Sequence, residues 1–150
     1  MKKTDVLNEI SINYAKTTVS NDPVASSNDA AQVARKIYEH TQSNIELKEY
    51  FFVMYLNRRN QILGYYKLSE GGMCSTVADQ RIAFATGLKC LATSVILVHN
   101  HPSGSLKPSD PDIRLTRNFK SGGDLLDISV LDHLILSKEG YFSFADEGLL

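Results

Sequence analysis

A chain of 150 residues can bury one core but leaves little room for two, and its composition agrees with a single soluble domain. Lys and Arg total 16 against 17 Asp and Glu, a formal charge of -1, so no strong field draws the chain to a phosphate backbone and nucleic acid is not the default partner. No apolar run approaches a membrane span and no signal-type hydrophobic core follows Met1-Lys2-Lys3, which makes the cytoplasm the expected compartment.

Along the chain, Ile10, Ile12 and Tyr14 alternate with Glu9, Ser11 and Asn13, which predicts an edge strand over Val6 to Tyr14 with one wet face. A polar linker over 21–27 follows. Asn28 or Asp29 is then placed to cap a helix reaching about Gln42, with Ala30, Val33, Ala34, Ile37 and Tyr38 at helical spacing. Tyr50 to Leu56 and Ile62 to Leu68 read as strands around Asn57-Arg58-Arg59-Asn60-Gln61, a hairpin turn, and Glu70-Gly71-Gly72 interrupts the second. Asp79 is placed to cap a helix to about Leu91, with Ile82, Ala85 and Leu88 inward. Cys74 and Cys90 lack the spacing of a zinc knuckle or a redox pair and read as reduced, buried or half-buried thiols.

Ser94-Val95-Ile96-Leu97-Val98 is short, apolar and rich in β-branched residues, as expected of a strand buried on both faces. His99-Asn100-His101-Pro102-Ser103-Gly104 comes next. Side chains two apart on a strand share a face, so His99 and His101 can converge on one ion while Asn100 points elsewhere. Pro102, Gly104 and Pro108 break regular structure and return the chain to the same end of the sheet. Ser109 and Asp112 have capping-box spacing, and Pro111 is tolerated in a first turn, so a helix is predicted from Ser109 to Lys120, stopped by Gly122-Gly123. Asp112 on its first turn is the candidate third ligand, and Asp110 is a charge favoured by the helix dipole. Two His and one Asp would leave a tetrahedral Zn²⁺ with one open position, the pattern of a catalytic site. Val130 to Leu136 reads as a strand that pairs with Tyr141 to Phe144 across Lys138-Glu139-Gly140, with His133 a packed, hydrogen-bonded histidine. The elements predict an α/β domain, a mixed β-sheet flanked by helices.

The order His-x-His, seven residues, Ser, two residues, Asp resembles the JAMM motif of the JAB/MPN metalloproteases, and His-Asn-His-Pro-Ser-Gly is the form it takes in the bacterial RadC family. Glu49-Tyr50-Phe51-Phe52-Val53-Met54-Tyr55-Leu56-Asn57, Ser69-Glu70-Gly71-Gly72, Leu131-Asp132-His133-Leu134-Ile135 and Gly140-Tyr141-Phe142-Ser143-Phe144 also resemble RadC-type sequence, in the right order. The resemblance implies the JAB/MPN (cytidine-deaminase-like) architecture over 43–150, with 1–42 supplying a strand and a helix of the same fold. RadC proteins usually carry a helix-hairpin-helix region ahead of this domain. Nothing before Ser43 resembles one, so the expectation is a free-standing RadC-type JAB domain, and a DNA-binding role borrowed from the family loses its usual support.

Hydrolysis also needs a carboxylate beside the ion that does not ligate it. From the residues alone Glu39, Glu46, Glu49 and Glu70 compete. The resemblance places the family's catalytic glutamate at the start of the strand before the hairpin, which is Glu49, with Glu70 the runner-up. It also implies that the Ser109 hydroxyl steadies a tetrahedral oxyanion, whereas Ser103 reads as a loop hydroxyl bonded to local backbone. The chain is therefore expected to be a zinc-dependent hydrolase of metallopeptidase or isopeptidase type, with one Zn²⁺ and a peptide or protein-conjugate substrate. The alternative is a RadC-like interaction module in DNA repair or mobile-element biology whose metal site is not used for hydrolysis. An HNH nuclease is set aside for want of a basic surface, and a zinc nucleoside deaminase because His-x-Glu and Pro-Cys-x-x-Cys do not occur.

Overall fold

Seven consecutive apolar residues form β1 (Tyr50–Leu56), which is buried along its whole length because it lies inside a sheet covered on both faces. The computed structural model describes residues 22–71 and 78–150. The strand expected over Val6 to Tyr14, with Gly72 and Cys74, lies outside the described residues. The sheet runs β2-β1-β3-β4-β5. β1 pairs antiparallel with β2 (Ile62–Glu70) and with β3 (Ser94–Asn100). β3 pairs parallel with β4 (Ser129–Leu136), and β5 (Tyr141–Ser143) closes the far edge antiparallel to β4. The domain is α/β with a mixed five-stranded sheet and three helices among the described residues.

Strand alternation sorts the core into two layers. Phe52, Met54, Leu56, Ile96, Val98, Leu134 and Leu136 pack under α1 (Ser27–His40), against Ile37 and Tyr38. Phe51, Val53, Tyr55, Val95 and Leu97 face α2 (Gln80–Lys89) and α3 (Asp110–Leu125), meeting Phe84 and Phe119. The β3–β4 register slips once, from Val95↔Val130 to Ile96↔Asp132, so Leu131 is an extra residue with no partner opposite it. That bulge turns the alternation over and brings His133, which pairs with Leu97, onto the α3 side.

Several element ends differ from expectation. Ser26, not Asn28 or Asp29, caps α1: its hydroxyl accepts from the Asp29 N–H at 3.1 Å while the Asp29 carboxylate reaches back to the Ala25 N–H at 3.0 Å. β2 runs two residues past Leu68 to Glu70, which pairs with Tyr50, and the strand ends before Gly71. Asp79 does cap α2, yet Ile82 and Leu88 are exposed and Ala83, Phe84 and Gly87 face inward. The cause is close packing: a Cβ on Gly87 would meet the Tyr55 ring at 3.2 Å, so the helix seats itself on its glycine. α3 runs past Gly122 and Gly123 to Leu125, because Gly123 is needed for the approach of the Ile128 carbonyl and not for a stop.

Candidate metal centre

His99 is the sixth residue of β3 and is buried, and His101 stands just beyond the strand, so the two imidazoles share one side of its carboxyl end. The loop after them returns to α3, whose first turn carries Asp112. His99 Nε2 and His101 Nε2 are 3.0 Å apart, and the Asp112 carboxylate lies 3.3 Å from the first and 3.2 Å from the second. A tetrahedron with bonds of about 2.0–2.1 Å has edges of roughly 3.3 Å; the two imidazole nitrogens are near that spacing, each approaches a different Asp112 oxygen, and one donor atom from each of the three residues lies within 4.8 Å of the others. Among the described residues these three form the one group of His, Cys, Asp or Glu side chains close enough to share an ion. Two imidazoles and a carboxylate fit zinc by donor chemistry as well as by spacing.

The electrostatics favour positive charge at this point. Burial pushes the Asp112 carboxyl up, but the His101 and His99 imidazoles beside it outweigh that effect and hold the group far below the usual carboxylate range. Donating to the Asp112 carboxylate raises His101, against the opposing effect of burial. Local structure fixes both groups. Asp112 closes a capping box in which the Ser109 N–H donates to its Oδ2 at 2.8 Å and the Ser109 hydroxyl accepts from its N–H at 3.2 Å. His101 donates from Nδ1 to the Ser105 carbonyl at 2.9 Å, which turns Nε2 inward.

Glu49 stands immediately before β1 and two residues before Phe51, whose ring stacks on His99 at 5.8 Å and 8°. It is half-buried. Burial raises its carboxyl, the neighbouring His99 and His101 imidazoles lower it, and Asp112 raises it again, for a net upward shift. Glu49 precedes Phe51, the register partner of His99, by two residues, and it is not among the three side chains grouped closely enough to share an ion. Glu70 is elsewhere: exposed at the end of β2, it pairs with Lys48 at 3.1 Å and Lys67 at 3.3 Å. Ser109 is an exposed helix cap, Asp110 is an exposed residue of the first turn, and the Ser103 hydroxyl accepts from the Ser105 N–H at 3.3 Å.

Four buried polar residues, His133, Thr116, Asn100 and Asp132, complete the surroundings: His133 is packed and hydrogen-bonded and Asn100 faces away from the histidines, as expected, while the bonds of Thr116 and Asp132 have no mark in the motif spacing. His133 Nε2 is 2.8 Å from His99 Nδ1, and His133 Nδ1 is 2.6 Å from the Thr116 hydroxyl. Burial depresses the His133 imidazole well below its ordinary range. Asn100 faces the other layer, where its Oδ1 accepts from the Tyr38 hydroxyl at 2.9 Å and its Nδ2 donates to the Ile45 carbonyl at 2.7 Å. The neighbouring Asp132 turns away from the three grouped side chains to accept from the Ser143 hydroxyl at 2.6 Å and the Ala145 N–H at 3.0 Å.

Comparison with known proteins finds that the model of the RadC-like JAB domain family matches residues 24–149. The match takes in α1, ahead of Ser43 where the motif resemblance starts. Relatives include a UPF0758 protein of Flavobacterium johnsoniae, 46% identical over 101 residues, covering 67% of this chain and 44% of the relative. One from Chlorobaculum parvum is 41% identical over 125 residues, covering 82% and 56%. One from Porphyromonas gingivalis is 44% identical over 104 residues, covering 69% and 46%. The chain thus spans about half the length of the curated relatives it matches. Among the described residues no helix is long and apolar enough to cross a membrane.

Proposed function

This chain belongs to the RadC-like JAB domain family, and from that premise we propose that it is a zinc-dependent hydrolase of metallopeptidase or isopeptidase type, cleaving an amide bond in a peptide or protein conjugate. The observation that carries the reading is the grouping of His99, His101 and Asp112, with Glu49 two residues before Phe51, the strand partner of His99. Zinc held by those three side chains would supply a Lewis acid and bring the pKa of water toward about 7. The half-buried Glu49 carboxylate takes a proton from the attacking water and passes it to the departing nitrogen, a task suited to a carboxyl raised above its ordinary range. The Ser109 oxygen already accepts from the Asp112 N–H, which leaves its own proton to donate to a developing oxyanion. A cytoplasmic setting belongs to the same reading.

Elemental analysis of protein purified without added metal, beside a His101→Ala variant, tests the centre. About one zinc per chain is expected, lost in the variant; equal trace metal in both counts against the site. A full zinc centre with no turnover of peptides or isopeptide-linked conjugates would turn the reading to an interaction module.

A further inference from the structure

Thr116 and His133 are buried polar residues, 1% and 0% exposed, that the reaction above leaves without a task. Their hydrogen bonds have a direction. The Thr116 Oγ1 lies 2.7 Å from the Asp112 carbonyl oxygen, a separation that needs a proton between the two atoms, and a carbonyl brings none. The hydroxyl therefore spends its one proton on Asp112, and toward His133 Nδ1, at 2.6 Å, its oxygen can only accept. His133 must carry its proton on Nδ1. Its ring is stacked on Phe144 at 4.7 Å and 14°, and both ring nitrogens are taken by Thr116 and His99, neither of them a carboxylate. A second proton would make an imidazolium without exposed surface or counter-charge, so the neutral ring is the one that fits. His133 Nε2 is then an acceptor, and His99 Nδ1, at 2.8 Å, must donate to it. In the neutral ring of His99 the lone pair then sits on Nε2, the atom 3.0 Å from His101 Nε2 and 3.3 Å from Asp112 Oδ1.

We propose that Thr116 and His133 are positioning residues that hold His99 in its Nδ1–H tautomer, so that its Nε2 lone pair is presented to a cation before any cation arrives. The proposal rests on the metal reading above. It adds that the carbonyl of one ligand, Asp112, orients another ligand through two intervening side chains, so the first turn of α3 sets both the third donor and the protonation of the first. The bulge at Leu131 is what makes the relay possible, since it brings His133 to the α3 side. Sharing the proton chain this way removes the alternative Nε2–H tautomer, which would put a hydrogen where the metal must sit.

Two readouts on the full chain separate this from the metal reading. Long-range ¹H–¹⁵N correlation of the metal-free wild type should report Nδ1–H on both His99 and His133, and His133→Phe should move His99 toward Nε2–H. Zinc affinity, by competition with a chromogenic chelator, should weaken by roughly 10- to 100-fold in His133→Phe and in Thr116→Val. Thr116→Ser, which keeps the hydroxyl, and His133→Gln, which keeps an acceptor near Nε2, should recover most of it. Circular dichroism and thermal melts identify any variant that has unfolded, and Thr116→Val stands in if His133→Phe is lost that way. Wild type that binds zinc while folded His133→Phe and Thr116→Val bind it equally well overturns the relay and leaves the metal reading intact. Wild type that binds no zinc overturns the metal reading, and the relay is then decided by the tautomers alone: Nε2–H on His99 in the metal-free wild type sinks it.

Discussion

Asn100 bonds the backbone on both sides of Glu49: its Nδ2 donates to the Lys48 carbonyl at 2.7 Å and its Oδ1 accepts from the Tyr50 N–H at 2.9 Å. The partners are an acceptor and a donor of fixed kind, so the amide can face only one way. The residue between the two histidines thus uses the opposite face of β3 to hold the segment that carries the candidate base. Asn100→Ala would leave those groups and the Ile45 carbonyl without this partner, and the Tyr38 hydroxyl with only the longer bond to the Tyr50 carbonyl at 3.3 Å. A loss of about 2–4 kcal/mol in urea unfolding is expected. A loss below about 1 kcal/mol would mean that other groups or water replace the amide.

Glu49→Gln keeps the shape of the side chain and removes its ability to take a proton. Under the proposed hydrolysis it should lower kcat by roughly 10²- to 10⁴-fold while zinc content stays at the wild-type level. The carboxyl is raised above its ordinary value, and only its ionised form accepts the water proton. The acid limb of kcat/KM should therefore lie above the usual glutamate range of about 4.3. A Gln variant that retains wild-type turnover would remove Glu49 from the reaction.

The strands nearest the centre were legible because burial on both faces leaves an unbroken apolar run, as in β1 and β3. The convergence of His99 with His101 follows from the period of two along such a strand, and Asp112 follows from the capping-box spacing after Ser109. Helix ends were harder. All three helices close with a left-handed residue that is not glycine, Gln42 at φ 54°, Leu91 at 56° and Asp127 at 55°. Paired bonds such as Ala92 N–H to Gly87 C=O and Leu91 N–H to Leu88 C=O hold that conformation. The glycines that look like stop signals are packing residues instead. His133 was legible as a packed histidine, but its place behind His99 depends on the Leu131 bulge, and a one-residue slip between two strands has no local sequence mark.

The two uses of glycine make opposite predictions. A Cβ on Gly123 would stand 2.2 Å from the Ile128 carbonyl oxygen, a backbone atom that cannot swing aside. Gly123→Ala should cost at least about 2–3 kcal/mol despite alanine's better helix propensity. Leu91, 83% exposed at φ 56°, loses no contact of weight on becoming glycine. Relief of the left-handed strain, about 1–2 kcal/mol, is partly offset by the extra chain entropy of glycine, so Leu91→Gly should gain about 0.5–1 kcal/mol. Chemical unfolding of both variants checks the pair. A gain from Gly123→Ala would place the helix end elsewhere.

The buried His133 imidazole should make the metal-free protein acid-sensitive. Its folded pKa is held well below the ordinary value by burial, whereas in the unfolded chain it titrates near 6.5. Between those two values the unfolded state binds more protons, so stability rises with pH. The contribution is whole above about pH 6.5 and is lost as pH falls toward the folded value, by at most about 1.4 kcal/mol per pH unit. His101 acts with the opposite sign: its raised pKa, from the Asp112 hydrogen bond, supplies stability below 6.5 that is lost as pH rises through the folded value. The two partly cancel in the wild type. His133→Gln removes one titration and keeps the other, so the difference between wild-type and variant stability, measured by urea unfolding from pH 7.5 down to 4.5, isolates the buried ring. The wild type should fall more steeply than the variant below about 6.5. Parallel profiles would show that His133 accepts a proton in the folded protein as readily as in the unfolded chain.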